Sequence, residues 1–134
     1  MCDGQYNRGV PVHINHAIVA ASDKLASARY FTDLFGLAEP EEAGPFAVVR
    51  LDDGELLQFA TPPTGEIVPI HLCFQVDDER FEALVSRLEA LEQDHWADPR
   101  RSQPGINHNH GGRGVYFLDP SGNYFEAITQ PYAD

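Results

Sequence analysis

The sequence predicts an α+β domain of two βαβββ modules, which form a cup-shaped, partly open mixed sheet with helices on the outside. Three observations predict it: a β-rich run with a histidine occurs twice, a helical segment follows each run, and a strand–turn–strand segment closes each half. The chain has 134 residues, the size of one domain. We expect an N-terminal arm at 1–12 and one domain at 13–134, with module 1 at about 13–62 and module 2 at about 68–132.

The first repeated element is a short β-rich run followed by a helix. Ile14–Val19 and Pro69–Phe74 are the two runs, and each contains a histidine near its start, His16 in the first and His71 in the second. After each run, apolar residues recur every three or four positions, which predicts an amphipathic helix. These residues are Leu25, Ala28, Phe31, Leu34 and Phe35 in the first half, and Phe81, Leu84, Val85, Leu88 and Leu91 in the second.

The second repeated element is a strand, a tight turn that ends in glycine, and another strand. Ala47–Thr61 aligns without a gap to Val115–Thr129. Because these two segments are farther apart in the chain than the two histidines are, module 2 must carry an insertion between its helix and its hairpin. The Pro-, Gly-, Asn- and His-rich stretch at about 98–112 is where we expect it.

Side-chain alternation along the strands predicts which face carries the histidines. In module 2, Leu72 and Phe74 share an apolar face that the following helix should cover, which leaves His71 on the concave side of the sheet. The same reasoning leaves His16 on the concave side in module 1. We therefore expect both imidazoles to face the interior of the cup.

A pseudo-twofold axis between the modules would make concave positions equivalent in pairs, His16 with His71 and Gln58 with Glu126. One strand histidine is more often a core or rim residue, and a buried glutamate can pair with an arginine instead. Two imidazoles, a carboxylate and an amide at repeat-related positions favour a metal site. Such ligands suit Zn²⁺, Fe²⁺, Mn²⁺, Ni²⁺ or Co²⁺.

The composition limits the partners. Nine basic and 21 acidic side chains give a formal charge of −12, which disfavours binding to nucleic acid or to acidic lipid surfaces. No apolar run approaches the roughly 18 residues of a membrane span. Cys2 and Cys73 cannot form a disulfide framework. We expect a cytoplasmic protein with a small-molecule substrate and no nucleic-acid or membrane partner.

These motifs resemble the vicinal oxygen chelate superfamily, which includes glyoxalase I, bleomycin-binding resistance proteins and extradiol dioxygenases. The likeness spans about 13–132 and is carried by His16–Val19, Phe35–Leu37, His71–Phe74 and Gly114–Glu126. It implies a homodimer and a metal that acts as a Lewis acid on a substrate bound through two adjacent oxygens. It also implies four metal ligands: His16, His71, Glu126 and Gln58.

The extradiol dioxygenases fit the local pattern best, through Ile106–His108, Val115–Tyr116, Asp119–Gly122 and Glu126. By that likeness, His108 lies near the substrate and Tyr116 donates a hydrogen bond to it. Fe²⁺ would then be the metal, held by two histidines and one carboxylate.

We therefore expect a divalent-metal enzyme, with extradiol-type dioxygenation as the favoured reaction. Glyoxalase-like lyase or isomerase chemistry is one alternative, although Gln58 stands where glyoxalase I usually has a carboxylate base. A non-catalytic binding protein for an antibiotic or metabolite is the other.

The segment 94–113 concentrates basic and aromatic side chains in an otherwise acidic protein. A long loop in a compact domain is usually functional or disordered, so we expect a lid that holds an anionic substrate. Arg113, beside the following strand, is the best candidate for that contact. Arg100 and Arg101 are as well explained by solvation, and Trp96 by packing in the core.

Overall fold

The computed structural model describes residue 9 and residues 11–132, so most of the arm expected at 1–12 lies outside the described residues. The described elements, in chain order, are β1 (His16–Ala20), α1 (Lys24–Phe35), β2 (Glu41–Ala43), β3 (Phe46–Arg50), β4 (Leu56–Ala60), β5 (His71–Gln75), α2 (Asp78–Ala90), β6 (Gly114–Leu118) and β7 (Tyr124–Ile128). A short 3₁₀ turn, Asn109–Gly111, precedes β6.

The strands form two mixed sheets. The first sheet has the order β1-β4-β3-β2 and the second has the order β5-β7-β6. In both sheets the strand that carries the histidine runs parallel to the last strand of its module, while the hairpin strands are antiparallel. The bounds of β3 and β4 recur in β6 and β7 at the spacing that the sequence alignment of the two halves predicts. The α+β fold with a duplicated module is therefore confirmed.

The second module departs from the expected βαβββ order. In place of a counterpart to β2, Trp96 makes a single bridge to Tyr116, with both backbone hydrogen bonds 2.8 Å long. The chain cannot continue as a strand because it turns at Asp98, whose carboxylate accepts hydrogen bonds from the backbone of Ser102 and Gln103. The insertion thus shortens the sheet of module 2 to three strands.

Each helix is preceded by an aspartate at its N-cap, one of the residue types that are favoured there. Asp23 caps α1 by accepting a hydrogen bond from the Ala26 amide at 3.1 Å, and Asp77 caps α2 through the Arg80 amide at 2.8 Å. Gly36 ends α1 with a φ of 68°, a conformation that glycine adopts without strain. Neither helix of the described chain has the length and apolarity needed to cross a membrane.

One aromatic core joins the two modules, and Phe31 of α1 is at its centre. Its ring centroid lies 6.3 Å from that of Phe59 in the first sheet, and 5.0 and 5.6 Å from those of Phe74 and Phe125 in the second. Edge-to-face contacts at these distances are favourable for aromatic rings. The helix-covered faces of both sheets therefore contribute to a shared core, and their other faces point away from it.

The motif Asp119–Asn123, which lies within one of the stretches that carry the sequence resemblance, joins the modules. The Asp119 carboxylate accepts a hydrogen bond from the backbone amide of Asn123 at 2.8 Å. The fully buried Asn123 side chain donates to the carbonyl of Ala20 and accepts from the amide of Ile70, both at 3.0 Å. The motif thus connects β1, β5 and the β6–β7 turn, which gives it a structural role.

Candidate metal centre

The candidate centre lies on the face of the second sheet that points away from the core, called here the outer face. Along β5, burial alternates as expected, so His71 and Cys73 are on the outer face. Glu126 of β7 is opposite Cys73 on one side and opposite Tyr116 of β6 on the other. Because residues in register share a face, Cys73, Glu126 and Tyr116 form one row across the sheet.

Glu126 is the most deeply buried acidic side chain of this face, with 2% of its surface exposed. Its Oε1 lies 2.9 Å from Nε2 of His71, and its Oε2 accepts a hydrogen bond from the Tyr132 hydroxyl at 2.7 Å. A buried carboxylate requires such partners, because its transfer from water is costly. The His71 side chain remains half exposed, so the pair faces solvent through the imidazole.

The surroundings of Glu126 keep its neighbours protonated. Burial and then the negative charge of Glu126 raise the pKa of the Cys73 thiol to about 12. Burial raises the pKa of the Tyr116 phenol most. The interaction with the Tyr132 hydroxyl lowers that pKa, and the negative charge of Glu126 raises it further. The hydrogen bond to Glu126 is the main cause that raises the pKa of Tyr132. At neutral pH these groups are therefore protonated, and Tyr132 donates a hydrogen bond to the carboxylate.

The first sheet presents the repeat-equivalent positions with different chemistry. Gln58 is opposite Ile18 and Val48, as Glu126 is opposite Cys73 and Tyr116. His16 is exposed, and its Nδ1 lies 2.8 Å from the side-chain oxygen of Asn15. The strand registers of the two sheets therefore place His16 at the position equivalent to His71, and Gln58 at the position equivalent to Glu126.

Within one chain, the four expected ligands form two separate pairs. The structure brings His71 and Glu126 together on the second sheet and leaves His16 and Gln58 on the first. Among residues 9 and 11–132, no group of three or more histidine, cysteine, aspartate or glutamate side chains is arranged to hold a metal ion. Their assignment as one ligand set stays a prediction.

Arg113 does not face the row that contains Glu126. Its guanidinium lies 2.9 Å from Asp78 and 3.3 Å from Glu82 of α2, and over the ring of Phe81 at 5.0 Å. The hydrogen bond to Asp78 is the main cause that raises the pKa of Arg113. Side chains alternate on β6, so Arg113 lies on the helix side and Tyr116 on the outer face. Arg113 therefore connects the start of β6 to α2 and is absent from the outer face of its own chain.

The insertion reaches the outer face through other residues. The Arg101 guanidinium lies 5.3 Å from the ring centroid of Tyr124, which is opposite His71, and 5.9 Å from that of Trp96. His108 is exposed at the start of the 3₁₀ turn, without a side-chain hydrogen bond at that cap.

Sequence reasoning missed two residues of the Glu126 surroundings. Tyr132 bonds directly to the carboxylate, and His110 stacks on Tyr132. No local signal marks an aromatic residue six positions beyond the carboxylate. His110 stands out in the sequence only as one of several histidines in the insertion.

The donor chemistry of His71 and Glu126 fits a divalent cation. Imidazole nitrogen and carboxylate oxygen are ligands for Fe²⁺, Mn²⁺, Co²⁺, Ni²⁺ and Zn²⁺, and both point to the same side of the sheet. The burial of Glu126 and its bond to Tyr132 would orient the carboxylate, as outer partners do for metal ligands. The two residues can therefore supply part of a coordination shell whose other positions are open.

Comparisons with known structures agree with this fold. The oxidase ChaP-H1 is 45% identical, with a TM-score of 0.88 and coverage of 92% of this chain and 100% of that one. The oxidase ChaP-H2 is 43% identical, with a TM-score of 0.87 and coverage of 92% and 97%. Lactoylglutathione lyase from Agrobacterium tumefaciens, at 22% identity, a TM-score of 0.66 and coverage of 90% and 95%, shares the fold.

The duplicated module and these neighbours define the class of protein. The chain belongs to the family of the oxidases ChaP-H1 and ChaP-H2, and its fold is that of the vicinal oxygen chelate superfamily, the glyoxalase, bleomycin resistance and dioxygenase group. No model of a protein family matches the chain. No curated protein matches it either.

Proposed function

We propose that the protein is a divalent-metal-dependent, dioxygen-using enzyme that acts on a small substrate with two adjacent oxygen atoms. The observation that carries the proposal is the buried Glu126 carboxylate, held 2.9 Å from His71 on an open sheet face. Two oxidases at 43% and 45% identity, which this chain matches over 92% of its length, support oxygen-dependent chemistry. Extradiol cleavage of a catechol by dioxygen, with Fe²⁺ as the metal, is the specific reaction to test first.

The complete site requires two copies of the chain in this proposal. His16 and Gln58 of one copy face His71 and Glu126 of the other, so a twofold dimer has two equivalent sites. Support comes from the outer faces, which point away from the shared core in each chain. A single chain therefore offers half of the ligand set at each of two surfaces.

The edges of the two sheets support the same dimer. Among the described strands, β1 and β5 lie at sheet edges, and an unpaired edge is a template for another chain. A cleft of about 320 Å³ separates these edges and is lined mainly by apolar side chains. Four large apolar residues beside the edges are more than half exposed, which is typical of an interface. They are Val12, Ile14, Ile18 and Val68.

The residues of the second sheet have distinct tasks. When bound, the metal acts as a Lewis acid on the chelated substrate oxygens. Glu126 and His71 hold it from one side of the site. Tyr116 stays protonated and donates a hydrogen bond to a substrate oxygen beside the carboxylate. The insertion covers the edge of the face near Tyr124, where Arg101 limits access of water.

Metal titration tests the ligand set. We expect wild-type protein to bind one Fe²⁺ or Co²⁺ per chain, and His71→Ala, Glu126→Gln and His16→Ala each to weaken binding by roughly 100-fold or more, because each removes a direct ligand. His13→Ala is the matched control, since His13 is an exposed histidine three positions before His16. Equal binding by all variants would overturn the proposed site.

Mixing two defective variants tests the dimer. His16→Ala and Glu126→Gln chains are unfolded together and refolded as an equal mixture. A site shared between copies then regains about a quarter of the wild-type metal sites, because half of the dimers contain one intact site. A site within one chain regains none.

Oxygen uptake tests the reaction. We expect the Fe²⁺-loaded protein to consume dioxygen with a simple catechol, at one O₂ per ring cleaved, and Glu126→Gln to lack this activity. Isomerisation of a glutathione hemithioacetal without oxygen uptake would instead indicate glyoxalase-like chemistry. Catechol binding without turnover or metal would indicate a binding protein.

A further inference from the structure

The two oxygens of Glu126 are held by different parts of the chain. Oε1 lies next to His71 of the neighbouring strand, and Oε2 accepts a hydrogen bond from Tyr132, four residues beyond the end of β7. A hydroxyl that donates to a carboxylate at 2.7 Å makes a strong, charge-assisted hydrogen bond. Oε1 is therefore the oxygen beside the half-exposed imidazole, and Oε2 is the oxygen that contacts the Tyr132 hydroxyl.

Tyr132 is in turn held by the insertion. Its ring stacks on the ring of His110, with centroids 4.1 Å apart and an interplanar angle of 30°. His110 has a φ of 57°, the left-handed conformation that non-glycine residues adopt rarely. That conformation turns the backbone within the 3₁₀ segment, and the imidazole stacks against the C-terminal segment there.

A second contact fixes the C-terminal segment to the end of the insertion. The Arg113 amide donates to the Thr129 hydroxyl at 2.9 Å, and the Thr129 amide donates to the Arg113 carbonyl at 2.9 Å. Thr129 follows directly after β7 and is buried. After β7, the segment that carries Tyr132 therefore runs along the insertion. This path brings the Tyr132 phenol within hydrogen-bond distance of Glu126.

We propose that Tyr132 is a positioning residue that occupies Oε2 of Glu126, so that the carboxylate binds the metal through Oε1 alone. This inference rests on the proposed function, since it assumes that Glu126 is a ligand. A carboxylate that binds through one oxygen uses one coordination position, and a bidentate carboxylate uses two. Tyr132 therefore keeps a position open for substrate or dioxygen, and His110 keeps Tyr132 in place.

The test uses Co²⁺, because its visible absorption reports coordination number and ligand geometry without turnover. We expect Tyr132→Phe to bind Co²⁺ about 10-fold more weakly, the usual scale for loss of an outer partner of a metal ligand, and to show an altered Co²⁺ spectrum. Tyr124→Phe is the matched control. Tyr124 is on the same sheet face, and its contact with Arg101 is through the ring, which phenylalanine retains.

The His110 variants test the stacking contact separately. His110→Phe retains an aromatic ring for Tyr132, and we expect the wild-type affinity and spectrum. His110→Ala removes the ring, and we expect a shift toward the Tyr132→Phe spectrum. Unchanged thermal unfolding of all variants shows that the fold is intact.

Two results would overturn the assignment, and they differ in scope. If wild-type protein binds Co²⁺, Glu126→Gln loses it and Tyr132→Phe matches wild type, Tyr132 has no positioning role and the proposed metal site stands. If wild-type protein and Glu126→Gln both fail to bind Co²⁺, the proposed function fails together with this inference.

Discussion

The two modules share one three-strand arrangement, β1-β4-β3 in the first and β5-β7-β6 in the second, and present different chemistry at matched positions. The central row of the first sheet is Ile18, Gln58 and Val48, and the corresponding row of the second is Cys73, Glu126 and Tyr116. The first row has two apolar side chains and a neutral amide. The second has a thiol, a buried carboxylate and a phenol joined by electrostatic contacts.

The difference shows which part of the site comes from duplication. The repeat places a histidine at the start of β1 and β5, and a polar side chain at the centre of β4 and β7. The partners that orient Glu126 come from segments outside the repeated strands, because Tyr132 lies beyond β7 and His110 lies in the insertion. Duplication thus accounts for the matched positions of the histidines and of Gln58 and Glu126. The C-terminal segment and the insertion add partners for Glu126 in module 2 alone.

The largest expected difference between the modules is in the helices. Phe31 of α1 contacts aromatic rings of both sheets and is 1% exposed, whereas its counterpart in α2, counted from the N-caps, is the half-buried Val85. Phe31→Ala should lower the free energy of unfolding by about 3–5 kcal/mol because it opens a large cavity. We expect about 1 kcal/mol for Val85→Ala, measured by denaturant unfolding. Equal losses would show that α1 does not join the modules.

The hairpin turns provide the next comparison. Asn123→Ala leaves the Ile70 amide and the Ala20 carbonyl without their side-chain partner, so we expect a loss of about 2–4 kcal/mol. Glu55, the repeat-equivalent residue of module 1, makes no such link, and Glu55→Ala should change stability by about 0.5 kcal/mol or less. The two stability losses are compared by thermal unfolding. A much larger loss for Asn123→Ala than for Glu55→Ala indicates that the motif Asp119–Asn123 stabilises the contact between the modules. Similar shifts would contradict that role.

The sequence predicted the features that depend on local pattern. Alternation along a strand fixes the face of every residue once one apolar face is known, and this pattern alone placed His71 and Glu126 on the same side of the sheet. The repeated spacing of the two hairpins needed no tertiary information either, since both hairpins have the same length.

Features set by distant contacts could not be predicted in this way. Arg113 was expected at the substrate face, but its basic charge alone does not reveal that Asp78 and Glu82 of α2 lie next to it. The loss of the fourth strand of module 2 follows from turns inside the insertion. Tyr132 meets Glu126 only because the C-terminal segment runs along that insertion.

The insertion is attached at a position where the modules differ in side-chain size. Gly114 in β6 corresponds to Phe46 in β3, and a Cβ on Gly114 would lie 2.9 Å from the side-chain oxygen of Asn107. The Gly114 amide donates to the Asn107 carbonyl at 3.0 Å, and the Asn107 amide donates to the Gly114 carbonyl at 2.9 Å. Gly114→Ala should therefore displace Asn107 and cost about 1–3 kcal/mol.

Amide hydrogen exchange at Asn107 measures that displacement. We expect faster exchange there in Gly114→Ala, with amides in β3 and β4 unaffected. Phe46→Ala is the comparison in module 1, because it changes the equivalent strand position without an insertion beside it. Unchanged exchange at Asn107 in Gly114→Ala would show that Asn107 adapts without loss of its bridge.

The smallest expected effect is a pH response of the turn at Asp98 in the insertion. Asp98 accepts hydrogen bonds from the Ser102 hydroxyl and from the Ser102 and Gln103 amides, and the hydroxyl contributes most to lowering its pKa. A lowered pKa in the folded state means that these bonds stabilise the turn above the ordinary carboxyl pKa of about 4 and are lost as pH falls through the folded value. The Ser102 and Gln103 amide proton shifts should therefore move upfield below about pH 4, while the Gly44 amide in module 1 stays constant. Asp98→Asn should abolish the response, and a wild-type shift that stays flat down to about pH 2 would contradict it.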